Sequence, residues 1–316
     1  MRSIVIPVYG NEAGLPALLD ALSGVAAQVD GVLEVVFVVD GSPDHSAAVL
    51  RKALPAMPFQ SQLVMHSRNY GAFAAIRTGL QLARGDDFAV MAADLQEPPA
   101  LALQFFEVLA AGDADVVVGQ REARDDPWPQ RWLASSYWWL YRTLVMPEIP
   151  AGGVDVFGCN KKFRDELIKL EEVHSSLIGQ IFWLGFERKQ VRYQRQSREH
   201  GKSAWTFSKK LRYLMDSVFS FSDLPIRLLM MLGVLGLTVS VMLGLAIVWA
   251  KLVAGISVAG YATTVMTILF FGGLNTLGLG IIGAYVWRAF GNTQGRPIAV
   301  VREATAFDGQ SQQESS

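Results

Sequence analysis

The sequence contains almost no cysteine, and this excludes two kinds of stabilised fold. Cys159 is the only cysteine among 316 residues, so an intrachain disulfide framework is excluded. The four histidines, at positions 45, 66, 174 and 200, do not have the spacing of zinc ligands, and one thiolate cannot complete a thiolate site. The sequence therefore predicts neither a disulfide scaffold nor a zinc domain.

Several common nucleotide-binding and catalytic motifs are also missing. The chain has no Walker A phosphate loop, no Gly-x-Gly-x-x-Gly after a strand and no Gly-x-Ser-x-Gly elbow. These absences disfavour P-loop nucleotidases, dinucleotide-dependent enzymes and serine α/β-hydrolases. A formal net charge of -1 also disfavours a strongly basic nucleic-acid binder.

Charged residues are scarce. They make up 18% of the chain, against 51% hydrophobic residues, whereas soluble domains average roughly 25% charged residues. This composition is too apolar for a disordered chain, and it indicates a segment that contacts lipid.

The apolar excess lies in two runs near the C-terminus. Residues 228–250 and 252–287 contain no charged residue, and a membrane-spanning helix needs about 20 apolar residues. We predict one span over residues 228–250, a turn at 254–260 and a second span over 263–287. Buried core helices are the alternative, but two successive runs of this length favour the membrane.

The positions of lysine and arginine predict how these spans are oriented. The loop between the spans offers only Lys251, whereas the outer flanks carry Lys209, Lys210, Arg212, Arg227, Arg288, Arg296 and Arg302. The positive-inside rule then predicts an integral membrane protein, in a bacterial inner membrane, with both termini in the cytoplasm. Residues 3–8 are too short for a signal-peptide core and predict a strand instead. Glycines in the second span permit close helix packing, which leaves a homo-oligomer open.

The remainder of the chain alternates strand-like and helix-like segments. Strands are predicted at 3–8, 33–39, 62–66, 88–92 and 115–118, and helices at 15–27, 46–54, 73–83 and 100–111. This alternation predicts an α/β fold with a mostly parallel sheet. We divide the chain into a cytoplasmic domain at 1–225, a membrane hairpin at 226–290 and a cytoplasmic tail at 291–316.

Polar residues directly follow four of the predicted strands, at 9–12, 40–42, 68–71 and 94–97. Ligands of parallel sheets bind beyond the carboxyl ends of the strands. Four such strand ends in series therefore predict one site.

Asp94, Gln96 and Glu97 are the candidate metal ligands at this site. Their oxygen atoms suit Mg²⁺ or Mn²⁺, which usually also contacts substrate phosphates. The same segment, with Pro98 and Pro99, is equally typical of a helix N-terminus, and the local pattern leaves both interpretations open.

The ordered set of motifs resembles family 2 glycosyltransferases of the polyprenyl-phosphate branch. The resemblance extends over residues 3–222, and the two spans that follow are similar to those of bacterial members. It rests on the segments 4–9 (Ile-Val-Ile-Pro-Val-Tyr), 38–44 (Val-Val-Asp-Gly-Ser-Pro-Asp), 68–71 (Arg-Asn-Tyr-Gly), 75–80 (Ala-Ile-Arg-Thr-Gly-Leu), 94–99 (Asp-Leu-Gln-Glu-Pro-Pro) and 198–203 (Arg-Glu-His-Gly-Lys-Ser).

The resemblance implies a GT-A-like nucleotide-sugar-binding domain and an inverting hexosyltransferase activity. The donor would be a nucleotide-diphosphate sugar, and the acceptor a polyprenyl (undecaprenyl or dolichyl) phosphate at the cytoplasmic membrane face. Donor binding is implied for Pro7, Tyr9, Glu12, Asp40, Asn69 and Gly71, and Mg²⁺ or Mn²⁺ binding for Asp94 and Gln96. The implied acceptor-phosphate residues are Arg121, Arg131, Ser135 and Arg198, and the implied catalytic residues are Asp94, Asp155 and Arg121.

Three positions depart from the family pattern. Val39 and Ala92 stand where the family usually has aspartate, and Gly10 is an extra residue after Tyr9. Two alternatives follow. The chain could be a family 2 transferase that acts on a lipid or glycan hydroxyl, with Asp155 as its base, or a degenerate membrane scaffold without catalysis.

Overall fold

The coordinates are a computed structural model that describes residues 1–121, 142–143, 146–150, 154, 156–196, 207–254 and 260–309. The strands are β1 Arg2–Val8, β2 Leu33–Val39, β3 Gln60–His66, β4 Asp87–Val90, β5 Val116–Arg121, β6 Phe157–Asn160, β7 Arg188–Tyr193 and β8 Val301–Phe307. The helices are α1 Leu15–Ala26, α2 Ser46–Ala53, α3 Ala72–Leu82, α4 Ala100–Ala110, α5 Lys161–Leu167, α6 Leu177–Trp183, α7 Phe207–Phe221, α8 Leu224–Ala254 and α9 Tyr261–Thr293.

The eight strands in the described part of the chain form one sheet in the order β7-β5-β6-β4-β1-β2-β3-β8. The strands β4, β1, β2 and β3 run parallel to one another, and β5 runs parallel to β7. Only β6 and β8 run antiparallel to their neighbours. The predicted mostly parallel α/β fold is therefore confirmed.

The central strands are apolar on both faces because helices cover both sides of the sheet. In β2, Val35 and Phe37 belong to one buried cluster, whereas Val36 and Val38 belong to the other. This alternation follows from the two-residue repeat of a strand. Helix α3 lies so close to the sheet that a Cβ atom at Gly79 would be 2.3 Å from a methyl carbon of Val5.

The chain returns to the sheet after its apolar helices. We assigned residues 291–316 to a tail and predicted no strand there, but β8 pairs with β3 along the edge of the sheet. The Ser67 amide donates to the carbonyl of Val300, and Arg51 pairs with Glu303 at 2.7 Å. Strands β6 and β7 were also missed, since both are short and pair with strands distant in sequence.

Helices α8 and α9 are each long and apolar enough to cross a membrane. Within their most apolar stretches, Leu224–Ala246 and Phe270–Thr293, only 0% and 6% of the window is buried inside the protein. Core helices of a water-soluble domain would be mostly buried, so that alternative does not fit these helices. Helix α8 ends at Ala254 and α9 begins at Tyr261, and most of the predicted turn, residues 255–259, lies outside the described residues.

A buried carboxylate joins the amino-terminal ends of the strands. Glu34 is fully buried, and its oxygens accept hydrogen bonds from the Ser3 hydroxyl, the Gln62 amide, and both the backbone amide and Nε of Arg84, at 2.6–2.9 Å. These contacts connect β1, β2, β3 and the segment that enters β4. The cluster lies at the edge of the sheet opposite the polar strand ends, where a structural role is expected.

We predict that Glu34→Ala lowers the free energy of unfolding by about 3 kcal/mol, because it leaves several buried donors without their acceptor. Glu303→Ala is the matched control, since its ion pair with Arg51 is nearly half exposed and should contribute less than about 1 kcal/mol. Denaturant unfolding of both variants measures the difference. Equal destabilisation by the two substitutions would show that the Glu34 cluster is not a main source of stability.

Candidate active site

The four polar loops lie side by side at one edge of the sheet. They follow β1, β2, β3 and β4, which are neighbours in the sheet and point in the same direction. Their carboxyl ends therefore meet at a single edge, where parallel sheets bind their ligands. This is the arrangement that the sequence pattern predicted.

Asp40 joins the end of β2 to the loop between β3 and α3. Its side chain is almost fully buried, and its two oxygens accept hydrogen bonds from the backbone amides of Tyr70 and Gly71 at 2.8 and 2.7 Å. The Asn69 side chain donates to the Asp40 carbonyl at 3.2 Å. Asp40, Asn69 and Gly71 therefore stabilise one another's positions. For Asp40, this geometry favours a positioning role over direct contact with the nucleotide-sugar donor.

His66 extends this network into the core, and sequence reasoning did not select it. Its Nδ1 lies 2.8 Å from Asp40 Oδ1, and its Nε2 lies 3.0 Å from the hydroxyl of Thr78 in α3. Its ring also meets the Tyr70 ring edge-on, with centroids 5.5 Å apart. A local pattern could not reveal this contact, because Asp40 and His66 are separated by 26 residues.

Gly41 allows the same two loops to approach closely. Its φ is +58°, and a Cβ atom there would lie 2.4 Å from the backbone carbonyl carbon of Arg68. Arg68 follows β3, and its guanidinium carbon lies 4.2 Å from the centre of the Tyr70 ring. The exposed Arg68 therefore places a positive charge at the site edge, where it is available to an anionic ligand.

The loops after β1 and β2 are joined by reciprocal hydrogen bonds. Asp44 accepts from the Ser42 hydroxyl at 2.6 Å and from the Glu12 amide at 3.0 Å. In return, Glu12 accepts from the His45 amide at 2.9 Å. The extra residue Gly10 takes part, since its amide donates to Ser42 Oγ at 2.8 Å. Glu12, a predicted donor-binding residue, is thus held by the neighbouring loop.

Asp94 and Gln96 lie in a constrained turn after β4. Leu95 between them has φ 54°, a conformation that few residues other than glycine adopt. The Gln96 amide donates to Asp94 Oδ1 at 3.2 Å, while the Gln96 side-chain oxygen accepts from Arg195. Arg195, which sequence reasoning did not select, also lies 3.8 Å from Glu97 and so ties this turn to the segment after β7.

The remaining predicted residues fall into two groups. Pro7 is in β1, Tyr9 follows it with an exposed ring, and Arg121 ends β5 at the same edge of the sheet. Only β6 separates β5 from β4, which is about 10 Å between the two strands. Val118 lies level with Val90, the last residue of β4, so Arg121 lies three residues beyond the end of β4. Asp155, Arg131, Ser135 and Arg198 lie outside the described residues.

We predict that the contribution of Asp44 to stability depends on pH. Burial raises the pKa of Asp44, but hydrogen bonds from Ser42, Ser46 and the Glu12 amide outweigh this effect and lower the pKa to about 2. The unfolded chain binds the proton near pH 3.9, so the stabilisation is present above about pH 4 and is lost as pH falls towards about 2. Asp44→Asn should lower the free energy of unfolding by about 1–2 kcal/mol at pH 7, and its difference from the wild type should narrow as the pH falls from about 4 to about 2.

Thermal unfolding of the wild type and Asp44→Asn across this pH range measures the effect. Asp20→Asn, at an exposed position of α1, is the control and should match the wild type throughout. A gap between Asp44→Asn and the wild type that stayed constant with pH would contradict the low pKa.

Known proteins that are similar to this chain include one solved structure and two relatives in sequence. The solved mannosyl-3-phosphoglycerate synthase of Rubrobacter xylanophilus is 15% identical, with a TM-score of 0.47 over 69% of this chain and 71% of that one. A Bacillus subtilis protein named "Putative glycosyltransferase CsbB" is 33% identical over 96% of this chain and 91% of its own length. A bactoprenol glucosyl transferase of Shigella flexneri is 27% identical over 96% and 97%.

Residues 3–170 match the family described as glycosyl transferase family 2. This match covers more than half of the chain, and it confirms the resemblance seen in the strand-end motifs. The protein is a glycosyltransferase with a GT-A-like sheet domain, and the chain belongs to glycosyl transferase family 2.

Proposed function

We propose that this glycosyltransferase moves a sugar from a nucleotide-diphosphate sugar to a polyprenyl phosphate at the cytoplasmic face of a membrane. The observation that carries the proposal is that the transferase domain continues into two helices with exposed apolar side chains. A water-soluble acceptor would not require them. Relatives named bactoprenol glucosyl transferases, which align over 95–96% of this chain, support a lipid-linked acceptor.

The donor would bind at the edge formed by the four strand-end loops. Tyr9 presents an exposed ring beside this edge, and Arg68 presents a guanidinium group. An aromatic face suits a nucleoside base, and a planar guanidinium can bind phosphate oxygens through two donors. Pro7, Glu12 and Asp40 would shape the pocket through the loops that they hold.

Asp94 fits a divalent metal together with the donor diphosphate. Mg²⁺ is commonly held by one or two carboxylates plus substrate phosphates. Among the described residues no group of three histidine, cysteine, aspartate or glutamate side chains could hold a metal, so the donor phosphates would complete the set. Gln96 could contribute its side-chain oxygen only by releasing Arg195. When bound, Mg²⁺ or Mn²⁺ would neutralise the charge that develops on the departing nucleoside diphosphate.

The acceptor would attack the anomeric carbon through its own phosphate oxygen. A phosphomonoester is largely dianionic at neutral pH because its second pKa is about 6, so this reaction needs no strong general base. One displacement forms the new carbon–oxygen bond as the bond to the diphosphate breaks, which inverts the anomeric configuration. The protein must then hold two anions together, a task for Arg121 and for the proposed acceptor residues Arg131, Ser135 and Arg198. Asp155 is proposed to lie near the reacting centre.

Release of nucleoside diphosphate from candidate nucleotide sugars tests this function. A polyprenyl phosphate transferase should release product only when undecaprenyl phosphate and a divalent metal are both present. A transferase acting on a hydroxyl would instead require a glycan or lipid alcohol. A scaffold without catalysis would release nothing under any of these conditions, and either of the last two results would refute the proposal.

We predict that Asp94→Asn abolishes transfer while leaving the fold intact. Ala92 has no carboxylate, so no neighbouring aspartate can replace Asp94 in metal binding. Steady-state assays over a range of Mn²⁺ concentrations measure the loss, and Asp30→Asn, at an exposed position, is the control. Near-wild-type activity of Asp94→Asn at saturating Mn²⁺ would refute the metal role.

We predict that both termini face the cytoplasm. Lysine and arginine are concentrated before the first uncharged run, residues 228–250, and after the second, residues 252–287, whereas Lys251 alone lies between the two runs. Reporters that are active only in the cytoplasm should work when fused at either end and should fail when inserted between residues 255 and 259. Activity of the reporter inserted between residues 255 and 259 would show that this segment faces the cytoplasm, and it would contradict the predicted topology.

A further inference from the structure

Helix α7 meets the end of α9 and one catalytic-domain segment at a contact region that we call the membrane junction. It comprises residues 173–179, residues 216–222 and residues 285–292. At its centre, Asp216 Oδ1 of α7 lies 2.8 Å from an Nη of Arg288 in α9, and the two side chains are only 20% and 19% exposed. This ion pair therefore joins two helices in a partly desolvated position.

Aromatic side chains surround the ion pair. The guanidinium carbon of Arg288 lies 4.9 Å from the centre of the Phe219 ring, and the Phe219 and Tyr285 rings are also 4.9 Å apart. The Tyr285 hydroxyl donates to the carbonyl of Ser222 at 3.3 Å. Arg288 is thus held by a carboxylate and a ring together, which fixes the last turns of α9 against α7.

The same helices are bound to the catalytic domain. The Ser220 hydroxyl donates to the His174 carbonyl at 2.6 Å, and the Val173 amide donates to Asn292 Oδ1 at 3.1 Å. Phe221 packs so closely on α6 that a Cβ atom at Gly179 would lie 2.3 Å from its ring. Helix α7, helix α9 and the sheet domain therefore meet in one packed region.

The length of α9 indicates where the junction lies relative to a bilayer. Arg288 is 27 residues beyond Tyr261, at which the helix of 33 residues begins. At 1.5 Å per residue this is about 40 Å, whereas the hydrocarbon core of a bilayer is about 30 Å thick. The Asp216–Arg288 pair would therefore lie at the level of the lipid headgroups or beyond.

We propose that Asp216 and Arg288 are positioning residues that hold the strand-end site at a fixed height and orientation over the membrane. This proposal rests on the proposed function. A phosphate attached to a polyprenyl chain cannot leave the membrane surface, so its reaction depends on how the catalytic domain is held. A short, water-soluble prenyl phosphate can diffuse to the site in any orientation of that domain. Loss of the ion pair should therefore slow transfer to the membrane-bound polyprenyl phosphate more than transfer to the short, water-soluble prenyl phosphate.

The full-length Asp216→Asn variant in proteoliposomes tests this. Asparagine keeps the size of the side chain and removes the charge. We expect kcat/KM for bilayer-embedded undecaprenyl phosphate to fall about tenfold, within the range that misplacement of a reacting group produces. For a prenyl phosphate of two isoprene units in solution, we expect a change of less than about twofold, with donor KM unchanged.

Arg227→Gln is the matched control. Arg227 pairs with Asp223 at 2.8 Å near the same membrane surface, but these two side chains are 72% and 61% exposed, so the pair should contribute little. Arg227→Gln should leave kcat/KM for both acceptors unchanged. Arg288→Lys is a second, milder variant in case Asp216→Asn does not fold. It keeps the charge but not the planar group, and we expect an intermediate loss on the bilayer acceptor alone.

The outcomes separate the two proposals. An equal fall in kcat/KM for both acceptors would indicate a general structural effect, and unchanged kcat/KM for both would indicate that the ion pair has no role. Either result overturns the positioning role and leaves the proposed function standing. Wild-type protein that transfers sugar to neither acceptor would overturn the proposed function and the positioning role together.

Discussion

The edge of the sheet that carries the candidate site depends on the buried carboxylate of Asp40. A buried charge is stable only when donors surround it, and here the backbone amides of Tyr70 and Gly71 and the ring of His66 provide them. Those donors belong to the end of β3 and the start of α3, whereas Asp40 follows β2. The carboxylate therefore determines where the loop that carries Arg68 and Tyr70 can lie, and so shapes the proposed donor site.

The Glu34 cluster and the proposed donor site lie at opposite edges of the sheet. Glu34 concentrates hydrogen bonds at the amino-terminal edge, where four strands or their flanking segments meet around a fully buried side chain. At the opposite edge, hydrogen bonds of Asp44 and Glu12 join one loop to its neighbour, and half-buried Asp94 lies in the turn whose Gln96 and Glu97 contact Arg195. Paired loops around a less buried acid suit the proposed donor site, because a ligand can then enter without rearranging the loops that support it.

Helices α8 and α9 are connected to the catalytic domain by more than the covalent chain. The junction around Asp216 and Arg288 binds the end of α9 to α7 and the sheet domain, and β8 then returns to pair with β3 at the far edge of the sheet. Both contacts restrict how the domain can move relative to helices α8 and α9. Such restriction suits an enzyme whose second substrate is proposed to remain in the membrane.

The alternation of strands and helices, the apolar runs and the polar strand ends could be predicted from the sequence, because each of these is a local pattern of side chains. These patterns predicted the parallel sheet and the single edge that gathers residues 9–12, 40–42, 68–71 and 94–97, and the resemblance of the motifs indicated the family. The contacts between residues distant in sequence became visible only in the folded chain: the pairing of β8 with β3, of His66 with Asp40, of Arg195 with Gln96 and of Arg288 with Asp216. None of these has a local signature, since a lone histidine or arginine looks the same in the sequence whether it lies in solvent or opposite a carboxylate. The physical reason is that their burial and charge pairing arise only when separate segments pack together.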